Sequence, residues 1–272
     1  MIKKLADLHV HTRASDGRML AEEVVRQAGK VGLAAIGIAD HDSVDGIEAA
    51  LEAGEKYEVE VIPSVELSAY FDDSELHILG YFINWRDERF RVILRKFQEV
   101  RMRRAEQMVE KLRGLGLGIS YEDVLGEAGE GAVGRPHVAR ALTNGGYVES
   151  INGAFERYIG VGCPAYVGKY RLPSAEAIEV IQRIGGVSVL AHPLYGFREE
   201  MLPELLKQGL RGIEVYHSKH DIPAIRRFED LARRHNLLLT GGSDSHGFDV
   251  SIGTVRVPYR LVEKLKAERK LL

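Results

Sequence analysis

Short apolar runs alternate with longer amphipathic stretches along most of this 272-residue chain. The apolar runs have the length of buried strands and predict strands at Leu5–Val10, Ala34–Ala39, Val59–Val65, Leu76–Ile83, Val187–Ala191, Gly212–Tyr216, Leu237–Thr240 and Thr254–Val257. The stretches between them repeat apolar residues at helical spacing and predict helices at Leu20–Val31, Val44–Tyr57, Ala175–Ile184, Met201–Lys207 and Ile222–His235. Such alternation is typical of an α/β fold with a parallel sheet, and this many units favour a closed or nearly closed barrel.

The interval from Arg86 to Tyr170 departs from this alternation. A long helical pattern continues as far as Arg113, and shorter helical patterns separated by glycines follow it. No convincing strand pattern returns until Val187. We therefore expect an all-helical insert at residues 86–170 between two barrel portions, residues 1–85 and 171–272. The many arginines of its first helix are typical of a solvated helix face.

Residues able to bind a metal ion accompany the predicted strands. The segment DLHVHTRASDG ends the first strand with His9 and His11, which alternation along a strand points to the same side. Further candidates at or beside strand ends are His41 in ADHDS, Glu66 in VEL, His77 in ELHILGYF, His192 in LAHP, His217 in EVYH, and Asp244 and His246 in GGSDSHG. Because the strand ends of a β/α barrel meet at one rim, the sequence predicts a multinuclear metal site there.

Composition restricts the metal and the location of the chain. Cys163 is the only cysteine, so disulfides within the chain are excluded and thiolate sites are disfavoured. Histidines and carboxylates without thiolates suit Mn²⁺, Fe²⁺ or Zn²⁺. The net charge of −3 provides no general attraction to nucleic acid or membranes. With no apolar leader and no membrane-spanning run in the sequence, we expect a cytoplasmic protein with no membrane partner.

The motifs DLHVHTRASDG, ADHDS, VELSA, LHILGY, LAHP and GSDSHG, in this order, resemble the PHP (polymerase and histidinol phosphatase) superfamily. The resemblance covers residues 1–85 and 171–272 and implies a distorted (β/α)₇ barrel that holds a trinuclear metal centre. Within the insert, GRPHVAR resembles the branch of nucleoside 3′,5′-bisphosphate phosphatases, some of which also act as 5′-to-3′ exoribonucleases on short RNA.

The resemblance also implies the ligands of three divalent metal ions. They would be His9, His11, Glu66 and Asp244 for the first ion, Glu66, His77 and His192 for the second, and Asp16, His41 and His246 for the third. Glu66 would bridge the first two ions. Mn²⁺ is the preferred metal, with Fe²⁺ and Zn²⁺ as alternatives. Histidinol phosphatases often have a histidine where this chain has Asp16, which argues against histidinol phosphate as substrate.

The implied enzyme is a metal-dependent phosphoric ester hydrolase whose nucleophile is a metal-bridging water, with no catalytic side chain. Its expected substrates are nucleoside 3′,5′-bisphosphates such as pAp, which would lose the 3′-phosphate, together with the 5′ end of short phosphorylated RNA. No obligate protein partner is expected. Two alternatives stay open: a phosphomonoesterase of another small metabolite, and an accessory module of a polymerase.

Further residues are expected to contact the substrate. Pro136 suits the first position of a helix, where free N–H groups beside Arg135 and His137 would bind an anion. Lys169 and Arg171 are candidates for a phosphate contact at the return to the barrel. His217 ends a strand without matching a ligand position, and we expect it to contact the substrate.

Four more residues complete the sequence-based expectations. Asp40 and Asp42 flank His41 and are expected either to orient the metal ligands or to cap the helix that begins near Ser43. His220 and His235 are expected to lie at the surface.

Overall fold

The computed structural model describes residues 4–129, 131–168, 171–248 and 250–271. Contacts divide the chain into two compact units, Met1–Arg91 with Arg171–Leu272, and Val92–Tyr170. The strands are β1 (Leu5–Val10), β2 (Ala35–Ile38), β3 (Glu60–Phe71), β4 (Ser74–Tyr81), β5 (Val187–Leu190), β6 (Gly212–His217), β7 (Leu238–Gly242) and β8 (Val257–Pro258). The helices are α1 (Ala21–Lys30), α2 (Ile47–Tyr57), α3 (Glu88–Gly114), α4 (Tyr121–Ala128), α5 (Arg135–Asn144), α6 (Ile151–Ala154), α7 (Ser174–Arg183), α8 (Leu202–Gln208), α9 (Ile222–Arg234) and α10 (Arg260–Arg269).

The eight strands of the first unit form one mixed sheet in the order β7-β6-β5-β4-β3-β2-β1-β8. β1, β2 and β3 pair in parallel, as do β5, β6 and β7. β4 is antiparallel to both neighbours, and β8 is antiparallel to β1, which corrects the expectation of a parallel sheet at these strands. Asp72 and Asp73 alone connect β3 to β4, which is too short for a helical crossover. The start of β4 therefore lies at the rim where the parallel strands end.

The sheet curls into a nearly closed barrel because the chain after β7 returns to β1. The Asp244 N–H donates to the His9 carbonyl at 2.8 Å, and the His11 N–H donates to the Ser245 carbonyl at 3.0 Å. Gly242 lies so close to β1 that a Cβ atom there would be 2.3 Å from the backbone nitrogen of His9. The first and last parallel strands thus meet along a seam, which we define as His9–His11 together with Gly242–Ser245.

Gly242→Ala is expected to destabilise the seam, because the added methyl group would overlap backbone that cannot move aside cheaply. Overpacking of this kind costs about 1–3 kcal/mol. Thermal unfolding of the variant beside wild type measures the effect. Gly126→Ala in helix α4 is the matched control, since a Cβ atom there would meet no neighbouring atom within 4 Å, and it should be neutral or stabilising. Equal melting temperatures for Gly242→Ala and wild type would contradict the tight approach.

Each unit has its own apolar core. The barrel interior buries Leu8, Ile62, Leu79, Tyr81 and Val189, among others. The core of the second unit includes the buried residues Met108, Leu112, Val138, Leu142 and Ile159. Along the described chain, each helix is either too short or too polar to serve as a membrane span.

Candidate metal centre

His9 and His11 lie at the end of β1 and point to the same side, as the alternation of a strand predicts. Their Nε2 atoms are 3.1 Å apart, and both side chains are fully buried. Such close approach of two basic nitrogens is unfavourable unless a proton or a cation lies between them or beside them. The pair is therefore suited to hold a cation.

Glu66, in the middle of β3, is the hub of the centre. Its Oε2 atom lies 3.2 Å from His9 Nε2, 3.3 Å from His11 Nε2 and 3.1 Å from His41 Nδ1. Its Oε1 atom lies 2.9 Å from His77 Nδ1 and 2.9 Å from His192 Nε2. One buried carboxylate thus faces five imidazoles, three on one oxygen and two on the other.

Two further carboxylates complete the set. Asp244 places Oδ1 at 3.0 Å from His11 Nε2 and at 3.5 Å from His9 Nε2. Asp16 places Oδ1 at 3.2 Å from His246 Nε2. Asp244 has a φ of 54°, a conformation uncommon for a residue with a side chain. The Asp244 N–H donates to the His9 carbonyl across the seam, and this hydrogen bond holds the Asp244 backbone in place.

The ligand atoms of these residues form three overlapping groups, and within each group they lie within 4.8 Å of one another. The groups are His9, His11, Glu66 and Asp244; His41, Glu66 and His77; and His11, Asp16, His41 and His246. His192 joins the second group through its contact with Glu66. The structure therefore brings together all nine residues that were expected to be ligands.

Each histidine ring has a second nitrogen that can point away from the cluster, and the partner of that nitrogen indicates whether the cluster is suited to bind a metal. Metal-binding histidines normally donate their second ring N–H to a carboxylate or a carbonyl. Here His9 Nδ1 lies 3.1 Å from Glu214 Oε1, His77 Nε2 lies 3.3 Å from Glu75 Oε1, and His246 Nδ1 lies 3.0 Å from the Asp244 carbonyl. These contacts leave the other nitrogen of each ring facing the centre. The donor set fits divalent cations bound by nitrogen and oxygen.

Two buried acids that support the centre were missed by the sequence analysis. Glu214, in β6, accepts the contact from His9 and also the His192 N–H at 2.8 Å. Asp7, in β1, accepts the N–H groups of Ser243 and Gly253, both at 2.8 Å. Burial raises the pKa of Asp7 to about 6 in spite of these hydrogen bonds. A single acid between two apolar residues of a strand was the available signal for both.

Asp40 and Asp42 hold loops rather than capping a helix. Asp40 accepts the N–H and the hydroxyl of Thr12, each at 2.7 Å, and so fixes the loop between His11 and Asp16. Asp42 accepts the Ser68 N–H at 3.3 Å. Helix α2 begins at Ile47 without a side-chain cap, so the expected helix start near Ser43 was wrong. Both acids therefore stabilise, through hydrogen bonds, the backbone segments on which candidate ligands lie.

His217 ends β6, as expected, whereas His220 differs from its expected position. His217 is buried, with Nδ1 accepting the Lys219 N–H and Nε2 lying 3.3 Å from Asp244 Oδ2. This geometry has His217 orient Asp244, and the expected contact of His217 with the substrate stays a prediction. His220, expected at the surface, is buried against Phe228, with ring centroids 5.1 Å apart. His235 is exposed, as expected.

The expected substrate-binding residues are only partly described. Lys169 lies outside the described residues. Arg171 is exposed and pairs with Asp73 at 2.8 Å. In the second unit, the Arg135 guanidinium lies 5.4 Å from the centroid of the Phe155 ring, and His137 accepts the Gly134 N–H at 2.9 Å. This bond gives His137 a role at the start of α5. Phosphate binding by these four residues stays a prediction.

Protons and metal ions compete for the centre. Burial favours the uncharged forms of His9 and His11, but the acids around them dominate. Glu214 and Glu66 raise the pKa of His9 well above its ordinary value, and Asp244 and Glu66 raise the pKa of His11 to about 10. When no metal is bound, these acids therefore favour the protonated, positively charged forms of the two rings. Because a metal binds only the neutral imidazole, loading must release their protons.

Mn²⁺ binding at pH 7 is accordingly expected to release about two protons per chain, one each from His9 and His11. The raised pKa values also mean that metal affinity falls as the pH is lowered. Calorimetric titration in two buffers of different ionisation enthalpy gives the number of protons. His235→Asn, which changes an exposed histidine, should release the same number as wild type. Binding without proton release would refute this account of the centre.

Comparison with known proteins agrees with this geometry. The family model described as PHP domain matches residues 7–129. A phosphoribosyl 1,2-cyclic phosphate 1,2-diphosphodiesterase of Eggerthella lenta is 32% identical, over 89% of this chain and 94% of that protein. A 3′,5′-nucleoside bisphosphate phosphatase of Chromobacterium violaceum is 29% identical, over 88% and 86%. A 5′-3′ exoribonuclease of Haemophilus influenzae is 34% identical, over 90% and 91%.

A solved structure gives the same result for the fold. A protein from Bifidobacterium adolescentis, assigned as a metal-dependent phosphoesterase, superimposes with a TM-score of 0.91 at 31% sequence identity. The match covers 96% of this chain and 95% of that one.

Proposed function

The chain belongs to the PHP domain family and is a metal-dependent phosphoesterase, and from this premise we propose that it removes the 3′-phosphate from nucleoside 3′,5′-bisphosphates. Short RNA with a 5′-phosphate is the proposed second substrate. The observation that carries the proposal is the convergence of nine residues with nitrogen or oxygen donors, Glu66 among them, into one cluster. The bisphosphate phosphatase and the exoribonuclease among the relatives support the nucleotide as substrate.

We assign three divalent ions to this centre, with Mn²⁺ preferred over Fe²⁺ and Zn²⁺. His9, His11, Glu66 and Asp244 would hold the first ion; Glu66, His77 and His192 the second; and Asp16, His41 and His246 the third. One group of ligand atoms coincides with the first of these sets, Glu66 and His77 share a second group, and Asp16, His41 and His246 share the third, which supports this assignment. The position of Glu66, with histidines on each of its two oxygens, supports a bridging role.

Divalent cations at such a centre neutralise the phosphoryl oxygens and lower the pKa of the attacking water. The protein residues position these cations. Glu66 and Asp244 supply negative charge, while Glu214 fixes the ring of His9 in the orientation that turns Nε2 inward. A water molecule activated by the bound cations is the proposed nucleophile.

Hydrolysis of a cyclic ribose phosphate is a second candidate. The Eggerthella relative, named as a diphosphodiesterase of phosphoribosyl 1,2-cyclic phosphate, matches over nearly its whole length. A metal centre of this type can serve a phosphodiester as well as a monoester, because charge neutralisation at phosphorus is common to both.

A hydrolysis screen that measures phosphate release together with the nucleotide and sugar-phosphate products tests the proposal. Metal-stripped protein is reloaded with Mn²⁺ and assayed on pAp, a 5′-phosphorylated oligoribonucleotide, phosphoribosyl 1,2-cyclic phosphate and histidinol phosphate. Conversion of pAp to AMP and phosphate with the highest kcat/KM is expected. Faster hydrolysis of the cyclic phosphate would select the second candidate. Preference for histidinol phosphate, or hydrolysis of no substrate, would contradict both.

A further inference from the structure

A loop beside the metal centre exposes two large apolar side chains. It follows β5 and consists of residues 193–197, directly after His192. Leu194 is 45% exposed and Tyr195 is 53% exposed. The Tyr195 ring centroid is 6.0 Å from that of His192, at an interplanar angle of 64°. The two rings meet edge to face, so much of the tyrosine ring stays accessible.

The loop that carries Tyr195 is fixed to the barrel. The Tyr195 N–H donates to the His192 carbonyl at 3.1 Å. Gly196 has a φ of 73°, and a Cβ atom there would be 2.1 Å from the Glu75 carbonyl oxygen, so the loop backbone packs directly on β4. Phe197 is buried and anchors the end of the loop. The tyrosine is therefore held in a set position although its side chain is exposed.

The position of this ring defines what it can bind. His192 contacts the Glu66 carboxylate at 2.9 Å, and Tyr195 packs against His192. Tyr195 is therefore separated from the candidate metal centre by a single side chain. A nucleotide with its phosphate at the centre extends its sugar and base outward over the rim. An accessible aromatic ring there offers a face on which a planar base can stack, a contact that tolerates any base.

We propose, on the basis of the proposed function, that Tyr195 stacks on the nucleobase of the substrate and thereby selects nucleotides over other phosphate esters. The base next to the reacting phosphate is the occupant in both a bisphosphate and an RNA end. The ring itself carries the contact, and the hydroxyl is not required. Leu194 would extend the apolar surface beside the ring.

Binding of AMP and of ribose 5-phosphate tests the proposal, because ribose 5-phosphate has a hydroxyl at the sugar carbon that carries the base in AMP. Dissociation constants are measured by calorimetry on Mn²⁺-loaded protein for wild type, Tyr195→Ala, Tyr195→Leu and Tyr195→Phe. Tyr195→Ala should weaken AMP binding by about 5- to 150-fold, the range expected for one base stacked on one aromatic ring. Ribose 5-phosphate binding and metal content should not change. Tyr195→Phe should match wild type.

Tyr195→Leu separates stacking from general apolar contact, since it keeps an apolar side chain without a ring. We expect it to lose most of the AMP affinity that Tyr195→Ala loses. Wild-type affinity in Tyr195→Leu, equal losses on both ligands, or equal wild-type affinity for AMP and ribose 5-phosphate would each overturn the proposal. The hydrolysis screen is separate: if pAp is not hydrolysed while Tyr195 still discriminates AMP, the proposed reaction fails and the base site stands.

Discussion

Glu66→Gln is expected to lower phosphoesterase activity by about 10³-fold or more, because it removes the charge at the hub of the centre. Glu66 belongs to two of the three ligand groups, and both of its oxygens face histidines. A glutamine offers one neutral oxygen and an NH₂ group, and the NH₂ group cannot bind a cation. The substitution should therefore weaken two metal positions at once.

Elemental analysis of purified variants, together with kcat/KM on pAp, measures this effect. Asp16→Asn is the matched control, because among the three groups described above Asp16 is a member of the third alone, whereas Glu66 is a member of two. We expect Asp16→Asn to lose metal at the third position and to keep the first two. Full metal content in Glu66→Gln would show that Glu66 does not bridge. Identical metal losses in both variants would show that the centre fills as a single cooperative unit.

Glu214→Ala is expected to weaken metal binding by about 10- to 100-fold, although Glu214 was not among the expected ligands. Its carboxylate orients the His9 ring and accepts the His192 N–H. Without it, two buried polar groups lose their partner, at about 1–3 kcal/mol each. The variant should therefore also unfold at a lower temperature.

Metal titration and thermal unfolding of the Mn²⁺-loaded and metal-free proteins separate the two effects. Glu229→Ala is the control. Glu229 lies in helix α9, where its carboxylate accepts a hydrogen bond from the Tyr216 hydroxyl, and it is not a member of the ligand groups. This variant should bind metal like wild type. A Glu214→Ala protein with wild-type metal affinity would limit Glu214 to a role in the fold.

Most of the centre could be predicted because its residues follow local rules. His9 and His11 lie on one side of β1 since side chains alternate along a strand, and the bounds of β1 agree with the prediction. The rim placement of His77 depends on β4 running antiparallel, for which the two-residue link Asp72-Asp73 was the available signal. The burial of His220 depends on packing against Phe228, which no local pattern reveals.

The supporting acids were harder to predict because their partners lie far along the chain. Glu214 contacts His9, 205 positions away, and Asp7 contacts Ser243, 236 positions away. In the sequence, each of these two acids is a single charged residue between two apolar residues. Only the closure of the barrel brings their partners into reach.

The seam between β1 and the segment after β7 has a consequence for biosynthesis. His9 and His11 are synthesised long before Asp244 and His246, which lie more than two hundred positions later in the sequence. A nascent chain or a prematurely terminated product that ends before Ser243 lacks two of the nine ligands and the strand contacts that position His9. The complete centre can therefore form only after the chain has been synthesised through His246.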